Sequence, residues 1–283
     1  MPDAASSHAG FVSRSVDRWR NGKATHEDDC VAEEMPIAML YNGVSFAVMM
    51  ATPHDLEDFA LGFSLSEGLI TSPVQLQKVE VQTLLEGVQL AMSVDAEAHG
   101  AHLAHQHERL LPGRSGCGIC GTRDLEQAIR QSPPVGAGII VTRSALENAL
   151  SQLQSQQPMN AATGAVHAAA WADGEGNIVL VREDVGRHNA LDKLIGAMRR
   201  ARIDPQSGLA VVTSRASYEM VTKASSAGIA LLADISSPTA LAIELARSAN
   251  ITLIGFARPG SHNVYTHPHR LLPDQPSERL QEP

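Results

Sequence analysis

Apolar and polar positions change their spacing twice along the chain, and each change predicts a different architecture. Up to about Asp29, apolar residues are few among Ser, Asp, Arg, His and Asn, so residues 1–29 are expected to form a flexible arm on the surface. From Cys30 onward, two apolar runs flank Asn42-Gly43, a dipeptide that takes the positive φ angles of a tight hairpin turn, and two antiparallel strands follow. Next, Leu56, Phe59, Ala60 and Phe63 fall at helical spacing behind Thr52 as a cap and Pro53 at the first helical position, with an end near Gly68. Residues Val79 to Val94 alternate loosely about Glu86-Gly87 and predict a second hairpin. A connector rich in His, Ala and Glu runs from Asp95 to Leu111 and completes a smaller α+β unit over residues 30–132.

Ser132-Pro133-Pro134, followed by Gly136 and Gly138, breaks the pattern and predicts a boundary near Pro133. Beyond it a short strand, Gly138 to Thr142, leads to a helix from Ser144 to Gln154 capped by Thr142 or Ser144. The chain then settles into short apolar runs, N-I-V-L-V-R-E-D, L-A-V-V-T, I-A-L-L-A-D-I and I-T-L-I-G-F, joined by amphipathic helices. Continuous β-branched strands separated by helices give βα repeats, so residues 133–283 are expected to form an α/β unit with a largely parallel sheet sandwiched by helices.

At 283 residues the chain is long enough for either one large domain or two small ones. Aromatics make up only 4%, so the core must come from Ala, Leu, Ile and Val. A formal net charge of −9 argues against a general nucleic-acid or anionic-membrane binder, and any anionic ligand must be met by a local pocket. No run approaches the 18 apolar residues of a membrane span, and the N-terminus lacks a basic region followed by an apolar stretch, so a cytoplasmic protein is expected. Three cysteines are too few for a secreted disulfide framework.

Two of those cysteines, Cys117 and Cys120, sit among four glycines in G-R-S-G-C-G-I-C-G, residues 113–121. Glycine removes the Cβ that restricts the backbone, so this stretch is suited to offering its thiols to bulky partners. The helix expected over residues 122–130 would bring partial positive charge to the pair, and Arg114 and Arg123 would add to it, favouring thiolate. Other readings compete. A structural zinc site needs four ligands, for which His105 and His107 are nearby candidates, while the third cysteine, Cys30, is distant. A thioredoxin-like dithiol expects the first βα turn of a βαβ unit, and inert buried cysteines would need neither the glycines nor the arginines.

Open α/β sheets take ligands at the carboxyl ends of their strands. There the sequence places Glu183, Asp184, Gly186, Arg187 and His188, then Thr213, Ser214, Arg215 and Ser217, then Ser236 to Thr239, then Arg258, Gly260 and Ser261. Hydroxyls, helix N-terminal amides and recurring guanidinium groups suit phosphate or another oxyanion. Each hydroxyl taken alone reads equally as a helix cap, and His167 and His188 as structural histidines.

At these residues the chain resembles the formate dehydrogenase accessory sulfurtransferases. The likeness spans roughly Glu33 to Arg270 and rests on A-L-G-F-S-L-S-E-G-L-I from Ala60, S-G-C-G-I-C-G from Ser115, T-G-A-V-H-A-A-A from Thr163, R-E-D-V-G-R-H-N-A-L-D-K-L-I-G from Arg182 and S-R-A-S-Y-E-M-V-T-K-A from Ser214, with G-F-A-R and N-V-Y-T near the end. The resemblance implies a cytoplasmic, homodimeric carrier that accepts persulfide sulfur from a cysteine desulfurase and passes it to the bis(molybdopterin guanine dinucleotide) molybdenum cofactor of formate dehydrogenase. By that likeness Cys117 carries the persulfide and Cys120 is its companion. Phe256, Ala257, Arg258, Pro259, Gly260 and Ser261 match the cofactor-binding stretch, with Asp184, Arg187, His188, Ser214 and Arg215 joining them. GDP is the expected mimic of the cofactor, and no structural metal is expected.

The family fold implies a cytidine-deaminase-like three-layer α/β/α C-terminal domain beside the smaller N-terminal one. The zinc deaminase signature, H-x-E followed by P-C-x-x-C, is absent from the sequence, which disfavours deamination. The sequence departs from the family pattern at Thr213 and Gly116, so Thr213 is left out of the expected site. Two rival functions remain: a cofactor chaperone that transfers no sulfur, and a zinc-stabilised interaction module.

Overall fold

The computed structural model describes residues 10–95, 97–98 and 134–274. The cysteine loop, the helix expected after it, most of the connector before it and the expected boundary at Pro133 lie outside the described residues.

Two Asn-Gly dipeptides set the first two turns. Asn42 and Gly43, at φ 48° and 82°, close the expected hairpin between β3 (Met35–Tyr41) and β4 (Val44–Ala51). Asn21 and Gly22 do the same at φ 51° and 77°, closing a hairpin of β1 (Phe11–Arg20) and β2 (Lys23–Ala32). Over residues 10–29 this corrects the expectation of a flexible arm; residues 1–9 lie outside the described residues. The base of this ribbon is held at Gly10, whose carbonyl accepts from the Glu33 amide and where a Cβ would lie 2.3 Å from the Met159 sulfur.

β3 and β4 belong to a four-stranded sheet of order β4-β3-β6-β5, completed by β5 (Leu76–Thr83) and β6 (Val88–Val94), with β3 and β6 parallel. Alternate residues Ile37, Met39 and Tyr41 of β3 and Val88, Leu90 and Met92 of β6 are buried under Phe59, Ala60 and Phe63 of α1 (Leu56–Ser66). The helix starts later than Thr52-Pro53 suggests. Asp55, in left-handed conformation at φ 52°, holds the N-cap position, and Thr52 is used elsewhere.

The C-terminal unit opens with β7 (Val141–Thr142), shorter than the strand expected from Gly138, then α2 (Arg143–Leu153), whose first turn is capped by the Thr142 hydroxyl accepting from the Ala145 amide at 3.2 Å. After α3 (Pro158–Thr163) come β8 (His167–Asp173), β9 (Ile178–Asp184), α4 (Arg187–Arg200), β10 (Gly208–Val212), α5 (Tyr218–Ala227), β11 (Leu231–Asp234), α6 (Ala240–Ser248), β12 (Thr252–Arg258) and β13 (Ser261–Val264), with β14 (Leu271–Leu272) pairing back to β7. The main sheet has the order β13-β12-β11-β10-β8-β9. Only β10, β11 and β12 are parallel neighbours, while β8 runs antiparallel to both β9 and β10. The sheet is therefore mixed rather than largely parallel, although β9 to β12 all point the same way and share one carboxyl edge. Burial on both faces explains the composition of β10 and β11, in which every residue is buried.

The two units meet where α1 crosses α4. Gly62 and Gly196 make the approach possible: a Cβ on Gly62 would fall 1.7 Å from the Asp192 carbonyl oxygen, and one on Gly196 would fall 1.9 Å from that of Asp58. Buried polar groups lock the crossing. Lys193 Nζ lies 2.7 Å from Asp184 Oδ2 with both side chains fully buried, and donates to the Thr52 carbonyl at 3.0 Å. Lys223 Nζ donates to Asp192 Oδ2 and Glu67 Oε1, both at 2.9 Å, and Ser66 donates to Asp192 Oδ1 at 2.6 Å. Burial alone would lower the Lys223 pKa, but the Asp192 and Glu67 carboxylates outweigh it and hold the ammonium above the usual lysine range. Asp58 accepts from Arg182 Nε at 2.8 Å and from Arg200 at 2.9 Å. No helix among the described residues is long and apolar enough to cross a membrane.

Candidate functional site

Folded polar atoms normally find partners, so buried ones without partners mark places where something else belongs. Nine side-chain atoms among the described residues are buried without a hydrogen bond, some of them ion-paired, and six of the nine fall on Arg187, His188, Ser217, Glu219 and Asp234, which follow or end β9, β10 and β11 at the shared carboxyl edge. The edge where sequence placed the arginines is also where the fold leaves its polar groups unspent.

Each strand end contributes differently. After β9, Gly186 is the N-cap residue of α4 and Arg187 opens the helix, its Nε buried without a partner. His188 Nε2 lies 2.8 Å from Glu219 Oε2 on α5, close enough for an ion pair but without hydrogen-bond geometry. His167, at the start of β8 and in register with Asp184, has its pKa lowered by burial and by the positive charge of Arg187. After β10, Ser214 is buried and its hydroxyl donates only to the Arg215 carbonyl at 3.2 Å, while Arg215 is exposed. Ser217 occupies the N-cap position of α5 but makes no side-chain cap, so the capping reading does not account for its hydroxyl. Thr239 does cap α6, accepting from the Ala242 amide at 3.2 Å. Thr213 is bound to β8, accepting from the Ala168 amide at 2.9 Å.

The stretch Phe256 to Ser261 forms the turn between β12 and β13 at the same edge. Arg258 pairs with Ser261 across Pro259-Gly260, and Gly260 takes φ 80°, the left-handed angle that a Pro-Gly turn needs. The Gly260 amide donates to Glu147 Oε2 of α2 at 2.7 Å. Ala257 is buried, Arg258 is exposed, and Phe256 is 41% exposed at φ 51°. Of the expected site residues, then, Arg187, His188, Ser214, Arg215 and the 256–261 turn share the edge. Asp184 is committed inward: beside Lys193, it accepts from the amides of Thr52 at 3.0 Å and Gly186 at 2.7 Å and from Asn189 at 3.0 Å. Cys117 and Cys120 lie outside the described residues.

Sequence reasoning missed Asp234, the last residue of β11. It is fully buried, no side chain or cation engages either carboxylate oxygen, and burial raises its pKa to about 8, opposed only by the adjacent Ala216 amide. The available signal was an acid ending an otherwise apolar strand, L-L-A-D. This raised value has a definite sign. The unfolded carboxyl loses its proton near pH 4 whereas the folded one keeps it to about pH 8, so this group lowers stability progressively as pH rises between those values. Asp234→Asn is expected to melt with the parent at pH 4 and above it at pH 9, by an amount of order a few kcal/mol, since each tenfold difference in proton affinity is worth about 1.4 kcal/mol. Thermal melts at three pH values check this, and an unchanged gap across the range would refute it.

The FdhD/NarQ family model matches residues 32–272. A sulfur carrier protein FdhD from Xanthomonas euvesicatoria pv. vesicatoria is 57% identical over 270 residues, covering 95% of each chain. Another from Cupriavidus necator is 50% identical over 264 residues, covering 93% of this chain and 90% of its own. Among solved structures, that of a candidate formate dehydrogenase accessory protein from Desulfotalea psychrophila superposes with a TM-score of 0.73 at 23% identity, over 93% of this chain and 99% of its own, a likeness of fold.

Proposed function

The chain belongs to the FdhD/NarQ family, and from that membership we propose that it is a sulfur carrier serving formate dehydrogenase maturation, a persulfide sulfurtransferase acting through Cys117. The Cys117 thiolate attacks the outer sulfur of a cysteine desulfurase persulfide, the donor cysteine leaves as thiolate, and the sulfur stays on Cys117 as a persulfide with no net redox change. The acceptor is the bis(molybdopterin guanine dinucleotide) molybdenum cofactor, which is substrate here and sits at the carboxyl edge of the main sheet. Where Cys120 attacks Cys117, hydrosulfide leaves, a disulfide remains, and a thiol reductant must reset the pair. We read the larger unit as the cytidine-deaminase-like three-layer arrangement, and the working protein as a cytoplasmic homodimer that meets both the desulfurase and the formate dehydrogenase catalytic subunit.

The observation that carries the cofactor half of this reading is the concentration of buried polar side-chain atoms without full hydrogen bonding at the edge that also carries Arg187, Arg215 and Arg258, in a protein of net charge −9. Such groups cost stability unless a ligand satisfies them, and diphosphates and guanine bases supply the missing acceptors and donors. Incubation with a cysteine desulfurase and cysteine, followed by intact mass spectrometry, tests the sulfur half. The parent is expected to gain the mass of one sulfur atom, lost on reduction, and Cys117→Ala to gain none. No gain in the folded, reduced parent would overturn sulfur transfer and leave the cofactor chaperone.

A further inference from the structure

Asp234 differs from every other buried acid described. Asp58, Asp184, Asp192 and Glu183 each have their oxygens taken by cations, hydroxyls or amides of this chain. Among the described residues Asp234 alone has both carboxylate oxygens buried with no side-chain or cationic partner, the Ala216 amide being the group that approaches them. It ends β11, the middle strand of the parallel trio, between the Ser214–Ser217 loop after β10 and the Gly255-Phe256 bulge of β12. No group of three or more His, Cys, Asp or Glu that would make this a metal site occurs among the described residues.

A carboxylate whose two oxygens no side chain engages still has lone pairs for two parallel N–H donors, the geometry of a guanidinium, an amidine or the N1–H and N2–H edge of guanine. Glycine at 255 lets the chain pack closely beside Asp234: a Cβ there would stand 2.6 Å from Pro238, 2.9 Å from Tyr265 and 3.4 Å from Asp234 Oδ2. The next residue, Phe256, is 41% exposed and held at φ 51° with its amide donating to the Ser236 carbonyl, an accessible aromatic ring at the same edge.

Resting on the reading that this edge receives a guanine-bearing cofactor, we propose that Asp234 selects the base, its two oxygens accepting the N1–H and N2–H of guanine. Other bases do not offer that pair. Adenine presents an acceptor at N1, hypoxanthine lacks the N2 amino group, and xanthine replaces it with a carbonyl. An ionised Asp234 bound to guanine would also relieve the cost of burial that keeps the free carboxyl protonated.

The test is calorimetric titration of the full chain with GDP, IDP, XDP and ADP. The parent is expected to bind GDP about ten- to a hundredfold more tightly than IDP, the loss expected for one hydrogen bond to a charged group, and to bind XDP and ADP no better than IDP. Asp234→Asn presents a donor where the N2 amino group needs an acceptor, so it should weaken GDP by a similar factor and bind XDP more tightly than GDP. A structural role for Asp234 would move all four ligands together. Equal binding of GDP and IDP by the parent overturns the proposal while leaving a nucleotide site intact, and that comparison needs no variant. A parent that binds none of the four overturns both this assignment and the cofactor reading beneath it. Retention of the GDP preference in a folded Asp234→Asn protein overturns the assignment alone.

Discussion

Lys193→Met is expected to lower stability by about 3–5 kcal/mol, the cost of leaving one member of a buried ion pair uncompensated. Both side chains of the Asp184–Lys193 pair are fully buried, so water cannot replace the lost ammonium. The damage spreads because the pair ties distant segments together. Asp184 holds the Thr52 amide, Lys193 holds the Thr52 carbonyl, the Thr52 hydroxyl accepts from Val185 at 3.1 Å, and Asn189 donates to the Met50 carbonyl at 2.9 Å. Every polar group of Thr52 is therefore engaged with the C-terminal unit. For a chain of this size the melting temperature should fall by about 10 °C. Pairing the change with Asp184→Asn removes the stranded carboxylate, so the double variant should be more stable than the sum of the two single losses. A single variant that melts within about 2 °C of the parent at neutral pH would show that the pair contributes little.

That network also explains where local sequence signals misled. Thr52-Pro53 has the form of a helix start, and a helix does follow, but the contacts from Asp184, Val185 and Lys193 outcompete the cap and delay the first turn to Leu56. No short-range pattern reveals a partner 132 residues away. The β1–β2 ribbon was missed for the opposite reason. Its Asn21-Gly22 turn carries the same signal as Asn42-Gly43, but the flanking strands are polar because most of their residues face solvent, so the alternation that identifies a half-buried strand is missing. β8 escaped because H-A-A-A-W-A-D is rich in alanine, a poor strand former, yet a strand between two neighbours and buried on both faces has room for small side chains. Its antiparallel course also makes the sheet mixed.

The candidate site was legible in its charges and hidden in its neutral and inward-facing groups. Arginines and hydroxyls recurring after successive strands point to one edge because β9 to β12 run the same way, a consequence of the βα order that sequence does show. Asp184 looked equivalent to Arg187 in that string, but the two differ in direction: its carboxylate turns inward to Lys193, while Arg187 leaves its Nε unsatisfied. Asp234 belongs to the site by the same criterion that removes Asp184 from its open edge. Partner accounting in three dimensions separates them, and residue type does not.

Gly196→Ala sets two effects in opposition, and their sizes decide the outcome. In the interior of α4, alanine is the better helix former by about 1 kcal/mol, so local propensity predicts a stabilised protein. The added methyl would stand 1.9 Å from the Asp58 carbonyl oxygen, a backbone atom that no rotamer change can move aside. Reaching an ordinary contact requires α1 and α4 to separate by roughly 1 Å or more, and close-packed interiors do not absorb that locally. The same displacement stretches the 2.6 Å Ser66–Asp192 hydrogen bond and the 2.9 Å Arg200–Asp58 contact that bridge the two helices. Overpacking is therefore expected to prevail, with a net loss of about 3 kcal/mol or more in chemical denaturation. Gly62→Ala, facing the Asp192 carbonyl at 1.7 Å across the same crossing, should cost a similar amount. Because one separation of the helices relieves both clashes, the double variant should lose less than the sum of the single losses. A Gly196→Ala protein as stable as the parent would mean that the crossing has slack, and strictly additive losses would mean that the two glycines do not share one contact.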